Sequence, residues 1–367
     1  MRKNQAESNT CVACKASPLR QRKSRSAKAF LLHLVFLPLL TPVFAGAQSS
    51  PPLELKTHID LANVTRRIDH FGVDLNGHRL FIAAFDNNTV EVVDVPAARQ
   101  VKSLAGFENP QGTFFDPSTN HLFVSSSNDG TVKIFDGNTF QPLSTVKLST
   151  DTDNIRYDPH SSSIVVGYGG EKFLHGQVVR GGGDGALIFL DSAGKRRAEI
   201  SLDAHPESFQ IEKIGTRAFV NVPDHKEVEV VDVRTHRLVA RWPIATCTDN
   251  FPMALDEPHH RLFVGCRAPS IMLVFNTQNG KIVATVPIAE HTDDLFYDPS
   301  KQRIYVIGER AVQSLQQKDP DHYDEIGRSP TPTRAHTGLF VPAWGELFVA
   351  VSRDGSQDAQ VLVFQTN

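Results

Sequence analysis

The sequence has few of the features that mark common enzyme classes. Its 367 residues include only four cysteines, three methionines and two tryptophans. It has no Gly-x-Ser-x-Gly, no His-Glu-x-x-His, no phosphate-binding loop and no dinucleotide fingerprint, so the usual hydrolase, metallopeptidase and nucleotide-binding signatures are missing. Helical periodicity is almost absent, which argues against a helical or alternating α/β architecture. After residue 47, no run is apolar enough to span a bilayer.

A repeated strand motif takes the place of those signatures. An aromatic–aliphatic pair recurs at Phe81-Ile82, Phe123-Val124, Phe219-Val220, Phe263-Val264, Tyr305-Val306 and Phe348-Val349, with Ile164-Val165 as the weakest copy. Upstream of most copies lies a short apolar strand that ends in an acid. The residue four positions before this acid, or before its equivalent, marks each repeat. In the seven repeats it is His70, Gly112, Asn154, Ser208, Pro252, Asp294 and Thr337. The intervals are 42, 42, 54, 44, 42 and 43 residues. An all-strand repeat of about 40–45 residues predicts a seven-bladed β-propeller of four-stranded antiparallel blades.

Two departures from the repeat have local explanations. The long interval contains a glycine-rich insertion of roughly ten residues between Val166 and Ala186, which we expect to be a strand-to-strand loop because loop length costs little entropy. The last repeat ends at Asn367 after three strands, whereas residues 53–60 form a spare alternating strand before the first repeat. We therefore predict that this N-terminal strand completes the last blade and closes the ring.

The N-terminal segment is typical of a secretory signal peptide. Residues 1–29 are basic, residues 30–40 are apolar, and Ala45-Gly46-Ala47 is a small-x-small cleavage site. We expect a signal peptide over 1–47, a single propeller domain over 48–367, and a periplasmic or extracellular location. An uncleaved N-terminal anchor is the alternative interpretation.

Loss of that peptide would make the mature chain acidic. Taking its eight basic residues and one acidic residue from the totals of 38 and 41 leaves 30 and 40, a formal charge of −10 instead of −3. This charge argues against nucleic acid and anionic membrane surfaces as partners. Cys247 and Cys266 remain, and in an oxidising compartment they could form one disulfide, although the hairpin register does not place them opposite each other.

The loops that lead into the innermost strands contain the candidate functional residues. In a propeller these loops surround one mouth of the central channel, and here they differ between repeats while the strands resemble one another. The residues concerned are Asp69, His70, Gln111, Asp153, Asn154, Glu207, Ser208, Asn250, Asp293, Asp294 and His336. So many acids at a narrow mouth either have raised pKa values or bind a cation. The pattern indicates a site for a divalent cation or a small polar molecule. Asp and Asn also begin strands after turns, which is the purely structural interpretation.

The repeats resemble a known family. Arg79–Ala84, His121–Ser126 and residues 261–266 are similar to the YVTN-type repeat of bacterial YncE-like proteins, and Thr89–Asp94 and Thr131–Asp136 match the strand that follows it. The resemblance covers residues 53–367 and implies an exported seven-bladed propeller, often without an assigned reaction. Relatives in the wider superfamily include quinoprotein dehydrogenases and lactonases. The chain lacks the tryptophan-docking repeat of the former and the Trp-Asp dipeptide of the WD40 type.

Three functions are compatible with these features. The first is a binding propeller that holds a cation or small polar molecule at the channel mouth. The second is a lactonase- or lyase-like enzyme with His70 or His336 as a base beside a metal held by the ring carboxylates. The third is a protein-interaction platform that uses the outer faces.

Overall fold

The computed structural model describes residues 50–174, 177–355 and 358–367. The predicted signal peptide lies outside the described residues. Within the part of the chain that is described, no helix is long and apolar enough to cross a membrane.

In the described part of the chain, twenty-eight strands form seven four-stranded antiparallel sheets, as the repeat predicts. Blade 1 contains β2 (Phe71–Asp74), β3 (Arg79–Ala84), β4 (Thr89–Asp94) and β5 (Arg99–Ala105). Blade 2 contains β6 (Pro110–Asp116), β7 (His121–Ser126), β8 (Thr131–Asp136) and β9 (Pro142–Lys147). Blade 3 contains β10 (Ile155–Asp158), β11 (Ser163–Leu174), β12 (Gln177–Leu190) and β13 (Arg196–Leu202).

The remaining blades follow the same order. Blade 4 contains β14 (Phe209–Ile211), β15 (Arg217–Val222), β16 (Glu227–Asp232) and β17 (Arg237–Pro243). Blade 5 contains β18 (Thr248–Asp256), β19 (Arg261–Ala268), β20 (Ser270–Asn276) and β21 (Lys281–Pro287). Blade 6 contains β22 (Asp294–Asp298), β23 (Arg303–Gly308), β24 (Ala311–Asp319) and β25 (His322–Pro330). Blade 7 contains β26 (Ala335–Val341), β27 (Glu346–Val351), β28 (Gln360–Thr366) and β1 (Leu53–Asp60). Short 3-10 helices occupy Phe85–Asn87 and Pro223–His225.

The first strand of each blade lies at the centre of the ring. The inner strands contact one another in sequence order, from β2 to β26, and β26 contacts β2 again. The ring is therefore closed around a channel lined by one strand from each blade.

The predicted closure by the N-terminal strand is confirmed. β1 pairs antiparallel with β28, with Leu53 opposite Thr366 and Asp60 opposite Gln360. This pairing supplies the fourth strand of blade 7 and covers what would otherwise be an exposed edge.

The hydrophobic core consists of seven clusters, one between each pair of neighbouring blades. The repeated aromatic residues of the second strands lie in these clusters and are fully buried: Phe81, Phe123, Phe219, Phe263, Tyr305 and Phe348. Large flat side chains fill the wedge between two twisted sheets. The aromatic repeat therefore belongs to the core.

One local expectation needs correction. The glycine-rich insertion of blade 3 is not a loop, because β11 and β12 extend into it as a hairpin that pairs to Leu174 opposite Gln177.

The two remaining cysteines, whose pairing the sequence left open, form a disulfide. Cys247 and Cys266 are bonded, with their Cα atoms 6.1 Å apart. They are not opposite each other in the hairpin, because Cys266 pairs with Asn250.

The ring closure yields a stability prediction. Ile59 is fully buried in β1 between blades 7 and 1, and we expect Ile59→Ala to lower the free energy of unfolding by about 2–5 kcal/mol. Leu55 lies on the same strand with 54% of its surface exposed, so Leu55→Ala should change stability by less than about 0.5 kcal/mol. Urea denaturation of both variants measures the difference. Equal effects would contradict the proposed role of β1.

Candidate functional site

His70 lies at the centre of the channel mouth and contacts acids from three blades. Its Nε2 is 3.5 Å from Asp69 Oδ1 and 3.9 Å from Asp153 Oδ1, and its Nδ1 is 3.6 Å from Asp294 Oδ2. Asn154 Nδ2 lies 3.3 Å from His70 Nε2. The chain segments that lead into β2, β10 and β22 thus converge on one imidazole. Five of the candidate residues lie together there: Asp69, His70, Asp153, Asn154 and Asp294.

A second histidine lies beside this group. His205 Nε2 is 3.7 Å from Asp153 Oδ2 and 3.8 Å from Glu207 Oε2. Its Nδ1 donates a hydrogen bond to the carbonyl oxygen of Gly169 at 2.8 Å and lies 3.3 Å from Asp151 Oδ2. Because a carbonyl can only accept, Nδ1 bears a proton, and in the neutral ring the free lone pair of Nε2 faces the two carboxylates.

The backbone of blade 3 determines the position of His205. Gly169 and Gly170 both have a φ of +87°, a conformation that side chains with a Cβ adopt with strain. A Cβ on Gly170 would lie 2.3 Å from the backbone nitrogen of His205. Two successive glycines therefore let β11 approach the loop before β14 closely enough for the Gly169 carbonyl to accept from the imidazole.

The charges at the mouth compensate one another. Burial acts to lower the pKa of His70, but Asp294, Asp69 and Asp153 outweigh it and raise this pKa to about 10. For His205, burial is likewise outweighed, here by the close Asp153 carboxylate and the charges of Asp151 and Glu207, and its pKa rises to about 10. Both rings are therefore cationic at neutral pH when nothing else neutralises the acids.

Asp69 and Asp294, two of the three acids around His70, have pKa values shifted in opposite directions. Burial dominates for Asp69 and raises its pKa, although Arg67 Nη2 lies 2.6 Å from Asp69 Oδ2. Asp294 has a lowered pKa, because His70 and hydrogen bonds from Thr337 Oγ1 and the Gly338 amide outweigh its burial. Asp294 is thus held as a carboxylate.

Asp153, His205 and Glu207 form a group with metal-binding geometry. One ligand atom from each lies within 4.8 Å of the other two. Asp153 Oδ1 is buried and accepts no hydrogen bond from any described residue. An imidazole nitrogen with two carboxylate oxygens suits a borderline divalent ion such as Zn²⁺ better than Ca²⁺, which prefers oxygen alone.

A wider cavity of about 370 Å³ opens outside this group. Asp293 and His336 line it, as do Arg67, Arg267 and Glu207. Arg267 forms an ion pair with Asp293 and lies over the ring of Phe251, 4.2 Å from its centroid. Burial together with Arg267 and Arg67 lowers the pKa of His336, so this histidine is neutral at pH 7.

Three of the candidate residues lie elsewhere or make structural contacts. Asn250 is buried, and its Nδ2 donates to Asn221 Oδ1 and to the Glu227 carbonyl between blades 4 and 5. Gln111 Nε2 donates to Asp151 Oδ1 at the edge of the His205 group. The backbone carbonyl of Ser208 accepts from the Asn221 amide. A position in the ring therefore does not ensure that a side chain faces the channel.

Several residues at the mouth lie outside the set of candidates from the sequence. They contact candidate residues and are His205, Asp151, Arg67 and Arg267. For His205 and Asp151 the sequence contains a signal, since each lies two residues before a candidate acid, Glu207 and Asp153 respectively.

A second group of possible metal ligands lies away from the mouth cluster. Asp203, His225 and Glu227 are close enough to share an ion. Arg241 already forms two hydrogen bonds with the Asp203 carboxylate, at 2.6 and 2.8 Å, which leaves this group the weaker candidate.

Comparisons with known proteins identify the fold. No protein-family model matches the chain, and no curated protein matches its sequence. Among solved structures, a chain of Kuenenia stuttgartiensis hydrazine synthase is similar with a TM-score of 0.66 and 16% identity, over 80% of this chain and 94% of the other. A chain of the mitotic checkpoint complex is similar with a TM-score of 0.68 and 13% identity, over 92% and 98% of the two chains. At such low identity these likenesses establish a β-propeller and nothing about activity.

Proposed function

We propose that the chain is an exported binding propeller that holds a divalent cation at the channel mouth through Asp153, His205 and Glu207. The observation that carries this proposal is the orientation of His205: its Nδ1 is fixed by the Gly169 carbonyl, so Nε2 faces two carboxylates. Metal-binding histidines are commonly oriented by such a second hydrogen bond. Asp153 Oδ1 supports the proposal, because it is buried, accepts no hydrogen bond from the described residues, and would be satisfied by an ion.

The surroundings would make the bound ion accessible to small polar molecules. Glu207 lines both the metal-binding group and the outer cavity of about 370 Å³. A small polar ligand entering this cavity could therefore reach an ion held by Glu207. The cation and the small polar molecule are, on this proposal, parts of one site.

Export and family membership belong to the same proposal. Export is supported by the basic and apolar segments within residues 1–47, and a bonded Cys247–Cys266 pair suits an oxidising compartment. Membership of the YVTN-repeat family is supported by the strand motifs quoted above. Mass spectrometry of the protein expressed in a bacterium would test export through the expected start of the mature chain after Ala47.

Asp153→Asn tests the cation site. We expect it to weaken Zn²⁺ binding by roughly 10- to 100-fold or more, because a buried carboxylate ligand becomes a neutral amide. Asp203→Asn, in the second acidic group, is the matched control and should leave the main binding event unchanged. Isothermal titration of chelator-treated protein measures both. Equal losses in the two variants, or none in either, would contradict the assignment.

Binding should also release a proton. His205 is protonated below its pKa of about 10, and Zn²⁺ requires the neutral ring, so an ion must displace a proton there. Affinity should thus rise as pH increases from 5.5 to 7.5, by roughly tenfold per unit for each proton displaced. Titrations in buffers of different ionisation enthalpy measure the number released. A value near zero would exclude His205 as a ligand.

The glycine pair gives an indirect test that touches no ligand. We expect Gly170→Ala to weaken Zn²⁺ binding, because the added Cβ would meet the His205 backbone and displace the ring. Gly355 also has a positive φ, but no atom of the described residues lies within 4 Å of the place that a Cβ would occupy there. Gly355→Ala therefore controls for backbone strain alone. Zn²⁺ titration compares the variants, and equal losses would contradict the positional argument.

His336 supports the enzymatic alternative better than His70 does. His70 is cationic at neutral pH and cannot accept a proton, whereas the lowered pKa of His336 leaves it neutral in the outer cavity. If the protein is a metal-assisted hydrolase, lactone turnover should require Zn²⁺ and should be abolished in His336→Ala. Absence of turnover in the metal-loaded protein would leave the binding function alone.

A further inference from the structure

The innermost strands contain a second ring of residues beyond the mouth. Residues two positions apart on a strand share a face, so this ring follows His70 and its equivalents in the other blades by two positions. On the neighbouring second strand, each of these positions lies opposite the aromatic residue of the repeated motif. In blade 3 the opposite residue is Val165. The seven residues are Gly72, Phe114, Arg156, Gln210, Ala254, Phe296 and Leu339.

This second ring differs in chemistry from the mouth. Five of its members are apolar or glycine, one is an amide, and Arg156 alone is charged. All of them except Ala254 line a cavity of about 260 Å³, which we call the inner cavity. A cavity of this volume lies just below the usual size range of small-molecule sites, about 300–1,000 Å³.

Arg156 lacks the close acid that two arginines of the mouth have. Arg67 forms an ion pair with Asp69, and Arg267 forms one with Asp293. Within the described ranges, no carboxylate oxygen lies within 4 Å of the Arg156 guanidinium. Its one hydrogen bond there runs from Nη1 to the carbonyl of Ile155 at 2.9 Å. The fork of N–H donors is therefore mostly available.

The nearest acids do not complete the pairing. Asp294 already accepts from Thr337 Oγ1 and the Gly338 amide, and Asp153 faces the two histidines. Burial lowers the pKa of Arg156, with Asp294 and Asp153 opposing that effect from a distance. A partly buried guanidinium without a close counter-charge has an energetic cost, and an anion in the inner cavity would offset it.

We infer that the inner cavity is a second binding site, specific for a small monocarboxylate with an apolar tail. The carboxylate would meet the guanidinium fork of Arg156, which matches its planar, bidentate geometry. The tail would pack against Phe114, Phe296 and Leu339. This inference does not depend on the proposed cation site, which uses other residues.

Benzoate is a suitable probe because it joins a carboxylate to one aromatic ring. We expect isothermal titration with chelator present to detect binding to the wild-type protein. Arg156→Gln should weaken it by about tenfold or more, because a charge-assisted contact is lost. Arg237→Gln is the matched control: this arginine is exposed on β17, the outermost strand of blade 4, and should change the affinity by less than about twofold.

A second variant protects the test if Arg156→Gln does not fold. Leu339→Trp keeps the charge but fills the inner cavity, and it should also abolish benzoate binding. Benzyl alcohol, which has the ring without the charge, should bind much more weakly than benzoate. The inference is overturned if the wild-type protein shows no binding up to about 10 mM benzoate. It is equally overturned if Arg156→Gln binds like the wild type, if Arg237→Gln loses as much, or if benzyl alcohol binds equally well.

Discussion

Closure of the ring depends on the pairing of β1 with β28, because blade 7 has only three strands of its own. Without β1, the backbone groups of β28 would form an exposed edge. The hydrophobic cluster between blades 7 and 1 would also lose Ile59, which the N-terminal strand contributes. The channel width is set by a closed circle of seven wedges, so the contacts at the mouth depend on this one pairing.

The geometry of the inner strands then divides the channel by chemistry. Alternation along each strand places His70, Asn154 and Asp294 at one level and Phe114, Arg156 and Phe296 at the next. At the first level, acids and histidines neutralise one another across the axis. At the second, one cation faces mainly apolar neighbours. The two levels therefore differ in charge and polarity although they share the same seven strands.

The fold could be predicted from the sequence because it is repeated in the sequence. Each copy of the strand motif places an apolar residue that must be buried at the same position of a blade. Seven copies therefore indicate both the structure of a blade and the number of blades. The spare strand at residues 53–60 was recognisable because the last repeat lacked one. The insertion in blade 3 was misjudged, since its glycines pair as an extended hairpin and their composition resembles that of a loop.

Only some residues of the candidate site could be predicted from the sequence repeat. Counting from the closing acids located His70, Asp153 and Asp294 but excluded His205, whose role depends on a long-range approach of the Gly169 carbonyl. It also included Asn250, whose side chain turns into a blade interface. Register shifts and contacts between distant loops decide such orientations, and a periodic pattern contains neither. Arg156 was overlooked because its importance comes from the lack of a close acid.

The two ends of the described propeller meet within one sheet: the Asn367 amide donates to the Pro52 carbonyl at 3.1 Å. A short covalent linker could therefore join these positions with little distortion. New termini could then be opened at an exposed turn, such as the one at Asn279 and Gly280, without removing any strand. The molecule is thus a natural scaffold for circular permutation, in which blade 7 would be built from one continuous segment and another blade would become the divided one.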